Sequence, residues 1–106
     1  MPLERVEIDF DTKNKNWSRT YGYNRLFLQA QQNWANNLLA ARGYVTLNEA
    51  LDMLSLPQTE EGATTGWVDD GRTEIDFGEE ADAPPPGNSI RLRFNVNTTN
   101  VFRDKK

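Results

Sequence analysis

The apolar positions of this chain switch between a period of two and a period near 3.6, and the switches mark its elements. In residues 3–10, Val6, Ile8 and Phe10 alternate with Arg5, Glu7 and Asp9, as in a half-buried strand. Residues 11–19 are polar apart from Trp17. A lone tryptophan in such a loop is either a lid over the core or an exposed contact residue. The lid is preferred, because tryptophan is seldom left fully exposed. A helix is expected from about Asn24 to Arg42. Phe27, Gln31, Trp34, Leu38 and Ala41 follow a 3–4 spacing, flanked by Leu28, Ala35 and Leu39. Trp34 is expected to fill the most core volume. The other face is rich in amides: Gln29, Gln32, Asn33, Asn36 and Asn37. Gly43 is the natural residue beyond the helix end, and Arg42 suits the carbonyl end of the dipole.

The second helix is the best-defined element. Thr46 and Glu49 form the T-x-x-E pattern of a capping box. Val45 and Ala50 occupy the positions of a hydrophobic staple. Leu47, Ala50, Leu51 and Leu54 share one helical face, and Pro57 is expected to stop the helix. After a polar loop, Trp67 and Val68 begin a strand, Asp70-Gly71 signals a hairpin, and residues 73–77 return with Ile75 and Phe77 on one face. Residues 78–88 form an acidic, proline-rich segment that reads as a stiff spacer between strands rather than a ligand for a proline-binding partner. From Ser89 to Val96, Ile90, Leu92, Phe94 and Val96 face inward, while Arg91 and Arg93 face out. Val101 and Phe102 are expected to continue the sheet, and residues 103–106 to fray.

These elements predict an α+β domain spanning residues 1–106. It combines a small antiparallel sheet of about four strands, near 4–10, 66–69, 73–77 and 89–96, with one long and one short helix packed on one face. The expected core is Val6, Ile8, Phe10, Leu28, Trp34, Leu38, Leu51, Leu54, Ile75, Leu92 and Phe94.

Composition narrows the chemistry. The 106 residues include no cysteine and no histidine. Disulfides, thiolate ligands, and Ser-His or Cys-His catalysis are therefore outside the inventory. No apolar run approaches the roughly 20 residues that span a bilayer, and the N-terminus lacks a signal-peptide pattern. The expected location is a cytoplasm. Net charge is −4, unevenly placed: residues 49–82 hold eleven acids and one base, and the rest is net basic. Such asymmetry either marks partner-facing surfaces or is ordinary solvated charge on loops, and the second reading is preferred.

Three constellations merit weighing. Asp69, Asp70, Glu74 and Asp76 offer hard oxygen ligands, but their spacing is not that of a calcium loop. A solvated hairpin tip is the better reading, and neither a metal nor any other cofactor is expected. Arg91 and Arg93 lie near Phe94, yet Phe94 alternates with them and points inward. With the overall acidity, this makes nucleic-acid binding an unfavoured reading. The third is the amide face of the long helix, with Tyr21 and Tyr23, which is either a protein contact or simply wet.

A resemblance covers residues from about Gln31 to Val96. It is carried by Asn37 to Val45 (NLLAARGYV), Leu47 to Thr59 (LNEALDMLSLPQT), Gly62, Gly66-Trp67-Val68, Ile75 to Gly78 (IDFG) and Leu92 to Val96 (LRFNV). These residues resemble an uncharacterised family of small proteins from bacteriophages and prophages of Gram-positive hosts. The resemblance implies a phage or prophage gene product with a compact α+β fold and no catalytic residue. Between its Trp strand and its I-D-F-G strand, this chain has only DDGRTE where that family usually has a longer, more polar stretch.

The expectation is a non-enzymatic interaction module acting on a host or phage protein in the cytoplasm of a bacterial host. The alternative is a virion or assembly component that self-associates as a homo-oligomer. A single-stranded nucleic-acid binder and a carboxylate-based, metal-dependent enzyme rank lower. Candidate contact residues are Trp17, Gln29, Asn33, Asn36, Asp69, Asp70, Arg91 and Arg93.

Overall fold

A computed structural model of the chain describes residues 6–78 and 89–104. The proline-rich segment, Glu79, Glu80, Asp82 and the last two lysines lie outside the described residues. The elements are β1 (Val6–Asp11), α1 (Tyr21–Arg42), β2 (Tyr44–Thr46), α2 (Leu47–Met53), a 3₁₀ turn (Glu61–Ala63), β3 (Gly66–Val68), β4 (Ser89–Phe94) and a single helical turn, α3 (Val101–Asp104). The fold is α+β, with one long helix and four strands.

The four strands divide between two antiparallel pairs, β1–β4 and β2–β3, instead of forming one sheet. In the first pair the alternation read from the sequence is realised. Val6, Ile8 and Phe10 stand opposite Phe94, Leu92 and Ile90, and Glu7 and Asp9 stand opposite Arg93 and Arg91. The expected hairpin between 66–69 and 73–77 does not form. The partner of β3 is β2, with Tyr44, Val45 and Thr46 opposite Val68, Trp67 and Gly66. Gly66 permits this pairing, because a Cβ there would overlap the Val45 carbonyl oxygen. Residues 75–77 lie instead along the other edge of β4. The Arg93 amide donates to the Phe77 carbonyl at 2.7 Å, and the Asn95 amide to the Asp76 carbonyl at 3.2 Å. Beyond Asn95 the chain leaves this edge and bridges to β3 through Gly66 and Thr98. That step links the two pairs.

The capping box is present in full. The Thr46 hydroxyl accepts the Glu49 amide at 3.2 Å, and the Glu49 carboxylate accepts the Thr46 amide at 3.0 Å. Gly43 ends α1 in the left-handed conformation, φ 89°, with its N–H on the Leu39 carbonyl at 2.7 Å. Pro57 is not what stops α2. The helix ends at Met53, and Ser55 takes φ 56°. Its amide then reaches Asp52 O, and that of Leu56 reaches Leu51 O, which together make a Schellman turn. Asparagines 14 and 16 hold this exit. The Asn14 amide donates to the Leu54 carbonyl at 2.6 Å, and that of Asn16 to the Ser55 hydroxyl at 2.9 Å. Residues 101–104 form a helical turn rather than a strand. Asn100 Oδ1 caps it by accepting the amides of Phe102 and Arg103.

The core joins Phe10, Ile90, Leu92 and Phe94 from the first strand pair with Val45 and Trp67 from the second. Leu28, Ala35 and Leu39 of α1, Leu47, Ala50, Leu51 and Leu54 of the α2 region, and Ile75, Phe77 and Val96 complete it. Val6, Ile8 and Leu38 are only partly buried against it. Trp34 is not in the core at all: it is 59% exposed, and the fully buried Trp67 is the largest side chain inside. The inward line of α1 is Asn24, Leu28, Ala35 and Leu39. It lies about one residue, or 100°, away from the line that centres on Trp34.

Candidate functional site

The residues singled out in the sequence are spread over the molecule, and most of their polar atoms are engaged within the fold. Trp17 is half-buried and packs on the core, its ring 5.6 Å from that of Phe10. It is the lid. Arg91 bonds Asp9 at 3.2 Å and lies 3.7 Å from Glu7, while Arg93 lies 3.4 Å from Glu7. The outer face of β1–β4 is therefore a ladder of opposite charges rather than a basic strip. Each such half-exposed pair stabilises by well under 1 kcal/mol.

The acidic turn is also internally satisfied. Asp69 Oδ1 accepts the Gly71 amide at 2.9 Å. Asp70 accepts the amides of Arg72 and Thr73 and the Thr73 hydroxyl, at 2.7–2.9 Å. The Arg72 amide first, then the Thr73 hydroxyl and amide, hold the Asp70 carboxyl down to about 2. Among the described residues, no three acidic side chains converge as metal ligands would.

Asparagine has a repeated role that residue-by-residue reading missed. Four asparagine side chains each bond both the N–H and the C=O of a single distant residue, as a neighbouring strand would. Asn24 does so with Ser18 (2.6 and 2.9 Å), Asn48 with Thr59 (2.9 and 2.8 Å), and Asn97 with Val68 (2.9 and 2.9 Å). Asn36 does the same with Ile75 (2.7 and 3.0 Å), and Gln32 Oε1 accepts the Phe77 amide at 2.9 Å. Asn95 adds a three-way junction, accepting from Trp67 Nε1 and the Asp76 amide and donating to the Glu74 carbonyl. Asn36, a candidate contact residue, is thus a fastener for residues 75–77. Gln29 and Asn33 stay exposed, bonded to each other at 3.1 Å.

What the fold leaves uncovered is apolar. Tyr23, Leu26 and Trp34 are 63, 65 and 59% exposed. With the exposed Ala30 and Ala41 they run down the outer face of α1 at spacings of three, four, four and seven residues. From Leu26 to Ala41 the helix carries no formal charge. Beside the stripe, Gly22, Arg25, Leu26 and Gln29 line a shallow groove of about 340 Å³. The sequence did hold a sign of this face. The apolar residues of α1 form two lines rather than one, and the line through Leu28, Ala35 and Leu39 already sufficed to dock the helix.

A family model matches residues 6–102. The chain belongs to DUF6353, a family of unknown function. The match reaches past the 31–96 resemblance at both ends, taking in β1 and the start of α3. Neither the curated proteins nor the solved structures contain a match to the chain. Among the described residues, no helix is long and apolar enough to cross a membrane.

Proposed function

We propose that this DUF6353 chain is a non-enzymatic protein-interaction module, encoded by a bacteriophage or prophage and working inside the bacterial host, with the outer face of α1 as its contact surface. The observation that carries this reading is the uncharged stripe of Tyr23, Leu26, Ala30 and Trp34 on a chain that is 26% charged. Tryptophan and tyrosine dominate binding hot spots, and charge is depleted at interface centres. Folding gains little from holding these side chains in water, so their exposure calls for a partner. The reading is further supported by the inventory without His or Cys. It is also supported by the internal bonding of Asp69, Asp70, Arg91 and Arg93, which leaves those groups serving the fold.

The test uses the chain and its Trp34→Glu variant as paired baits in extracts of infected and uninfected host cells. The expected result is a near-stoichiometric protein held by the parent and released by the variant. Identical retention by both baits overturns the assignment to α1. Background alone with both baits, together with a monomeric parent in solution, overturns the interaction reading itself.

A further inference from the structure

We propose that the outer face of α1 binds a second copy of this chain, as an antiparallel pair of helices related by a twofold axis at Ala30. The proposal rests on the reading of that face as a contact surface and names its occupant.

Three features select this partner. The first is the pattern of size. Leu26, Ala30 and Trp34 lie four residues apart along one ridge, large–small–large. A twofold at Ala30 sets Trp34 of each copy against Leu26 of the other and Tyr23 against Asn37. The two alanines meet at the crossing, where a small side chain allows the helices to approach closely.

The second feature is charge. Arg25, Gln29, Gln32 and Asn36 share one flank of α1, at spacings of four, three and four. At the C-terminal part of that flank, Asn36 and Gln32 hold residues 75–77. The exposed Glu74 precedes this run and the exposed Asp76 lies within it. The antiparallel twofold brings the end of α1 that carries Arg25 level with the 32–36 end of the other copy, where Glu74 and Asp76 lie, so the charges are complementary along the length of the pair. A parallel pair would instead set Arg25 against Arg25 and Trp34 against Trp34. No acid lies on α1 itself to repel the carboxylates of a second copy.

The third feature is area. The 22-residue helix is about 33 Å long. Pairing it over most of that length buries on the order of 1,000–1,200 Å² in total, at the lower end of specific interfaces. A reversible dimer of micromolar strength is expected, not an obligate one.

Sedimentation equilibrium up to about 100 μM, a range that populates micromolar complexes, tests this directly. The parent should move from 12.1 kDa toward twice that mass, and Trp34→Glu should stay monomeric with an unchanged circular dichroism spectrum. Because the chain has no cysteine, single cysteines report the geometry. Ala30→Cys should form a disulfide-linked dimer on mild oxidation, since twofold-related residues at the crossing come within disulfide reach. Ala41→Cys should not, its copies lying roughly 33 Å apart. Cross-linking of both variants alike, or of Ala41→Cys alone, overturns the antiparallel pairing. A monomeric parent overturns self-association. If Trp34→Glu still releases a foreign protein in the bait experiment, the contact surface stands and only its occupant changes.

Discussion

The two faces of α1 reverse the usual arrangement. Inward, the helix presents Asn24 beside Leu28, Ala35 and Leu39, with the part-buried Asn36 at the edge of that face; outward, it presents Tyr23, Leu26 and Trp34. The inner amides work because each saturates backbone groups that no strand pairs: Ser18 lies in a loop, and Ile75 turns its N–H and C=O to α1 on the side away from β4. Ile75 would otherwise leave an N–H and a C=O without partners at the edge of the core, and Asn36 supplies both. The outer aromatic has no such role. Polarity on this helix therefore does not report burial. It reports which side chains complete the fold and which are left over for something else.

The sharpest test of that contrast is Asn36→Leu. Leucine conserves bulk and adds apolar surface, so a purely hydrophobic account predicts no loss. Loss of both backbone bonds, with the Ile75 groups left unsatisfied, predicts destabilisation of about 2–3 kcal/mol. Urea denaturation measures it. A change below about 0.5 kcal/mol, the level of an ordinary surface substitution, would remove the distinction between the faces.

A smaller effect is expected where α1 hands over to α2. Arg42 stacks over the Tyr44 ring at 4.2 Å and bonds Glu49 at 2.5 Å, so the end of one helix holds the cap of the next. Thr46→Ala removes the hydroxyl from this box and should cost about 1 kcal/mol. Burial pushes the Glu49 carboxyl up, but bonds from Arg42 and the Thr46 amide, with the Arg42 charge and the Thr46 hydroxyl, bring it net below its ordinary value. A lowered folded-state pKa means that the contribution is complete above the unfolded value, near 4.5, and fades as pH falls below it. Arg42→Ala should therefore flatten the acid limb of the stability–pH curve. An unchanged limb would show that the pair is too solvated to matter.

How far these features could be read in advance follows from the distance between partners. The capping box at Thr46 and Glu49, the Gly43 helix end and the alternation of β4 each rest on neighbours a few residues apart, and all three were legible. The Asn36 fastener joins residues 39 apart, and nothing in either segment announces the other. Asp70-Gly71 lies in a bend held by the Asp69 and Asp70 side chains, and the hairpin read from it does not form. β3 found a partner in residues 44–46, a three-residue stretch between the two helices that no alternation marks as a strand. Trp34 falls outside the core because the 3–4 spacing through it runs one residue off the line of Leu28, Ala35 and Leu39 that docks the helix. Among the contact candidates, only Gln29 and Asn33 border the exposed face; of the stripe itself, Trp34 and Ala41 fall on the line expected to be core, while Tyr23 belongs with the amide face whose role the sequence left open.

The Asp69–Thr73 turn gives a purely local comparison, since its polarity is exposed and yet fully used. Asp70 should titrate near 2 by NMR. Thr73→Val removes the hydroxyl bond at 2.8 Å and should move that midpoint up toward the ordinary 3.8. The stabilisation associated with this carboxylate is complete above about 3.8 and is lost as pH falls toward about 2. A midpoint that stays put in the variant would assign the depression to the backbone amides alone.

The smallest expected effect is the most telling for the outer face. Trp34 is the bulkiest kind of side chain, and in a core its loss would cost about 3–5 kcal/mol. Exposed on α1, Trp34→Ala should change the stability of the monomer by no more than about 0.5 kcal/mol, measured at a concentration low enough to exclude association. The same substitution should weaken any contact made through this face, because a tryptophan buried on binding is a common hot spot. Folding and association then separate at a single residue: the inner face answers to denaturant and the outer face to concentration. A large monomer destabilisation by Trp34→Ala would return this side chain to the core and remove the basis for a docking surface.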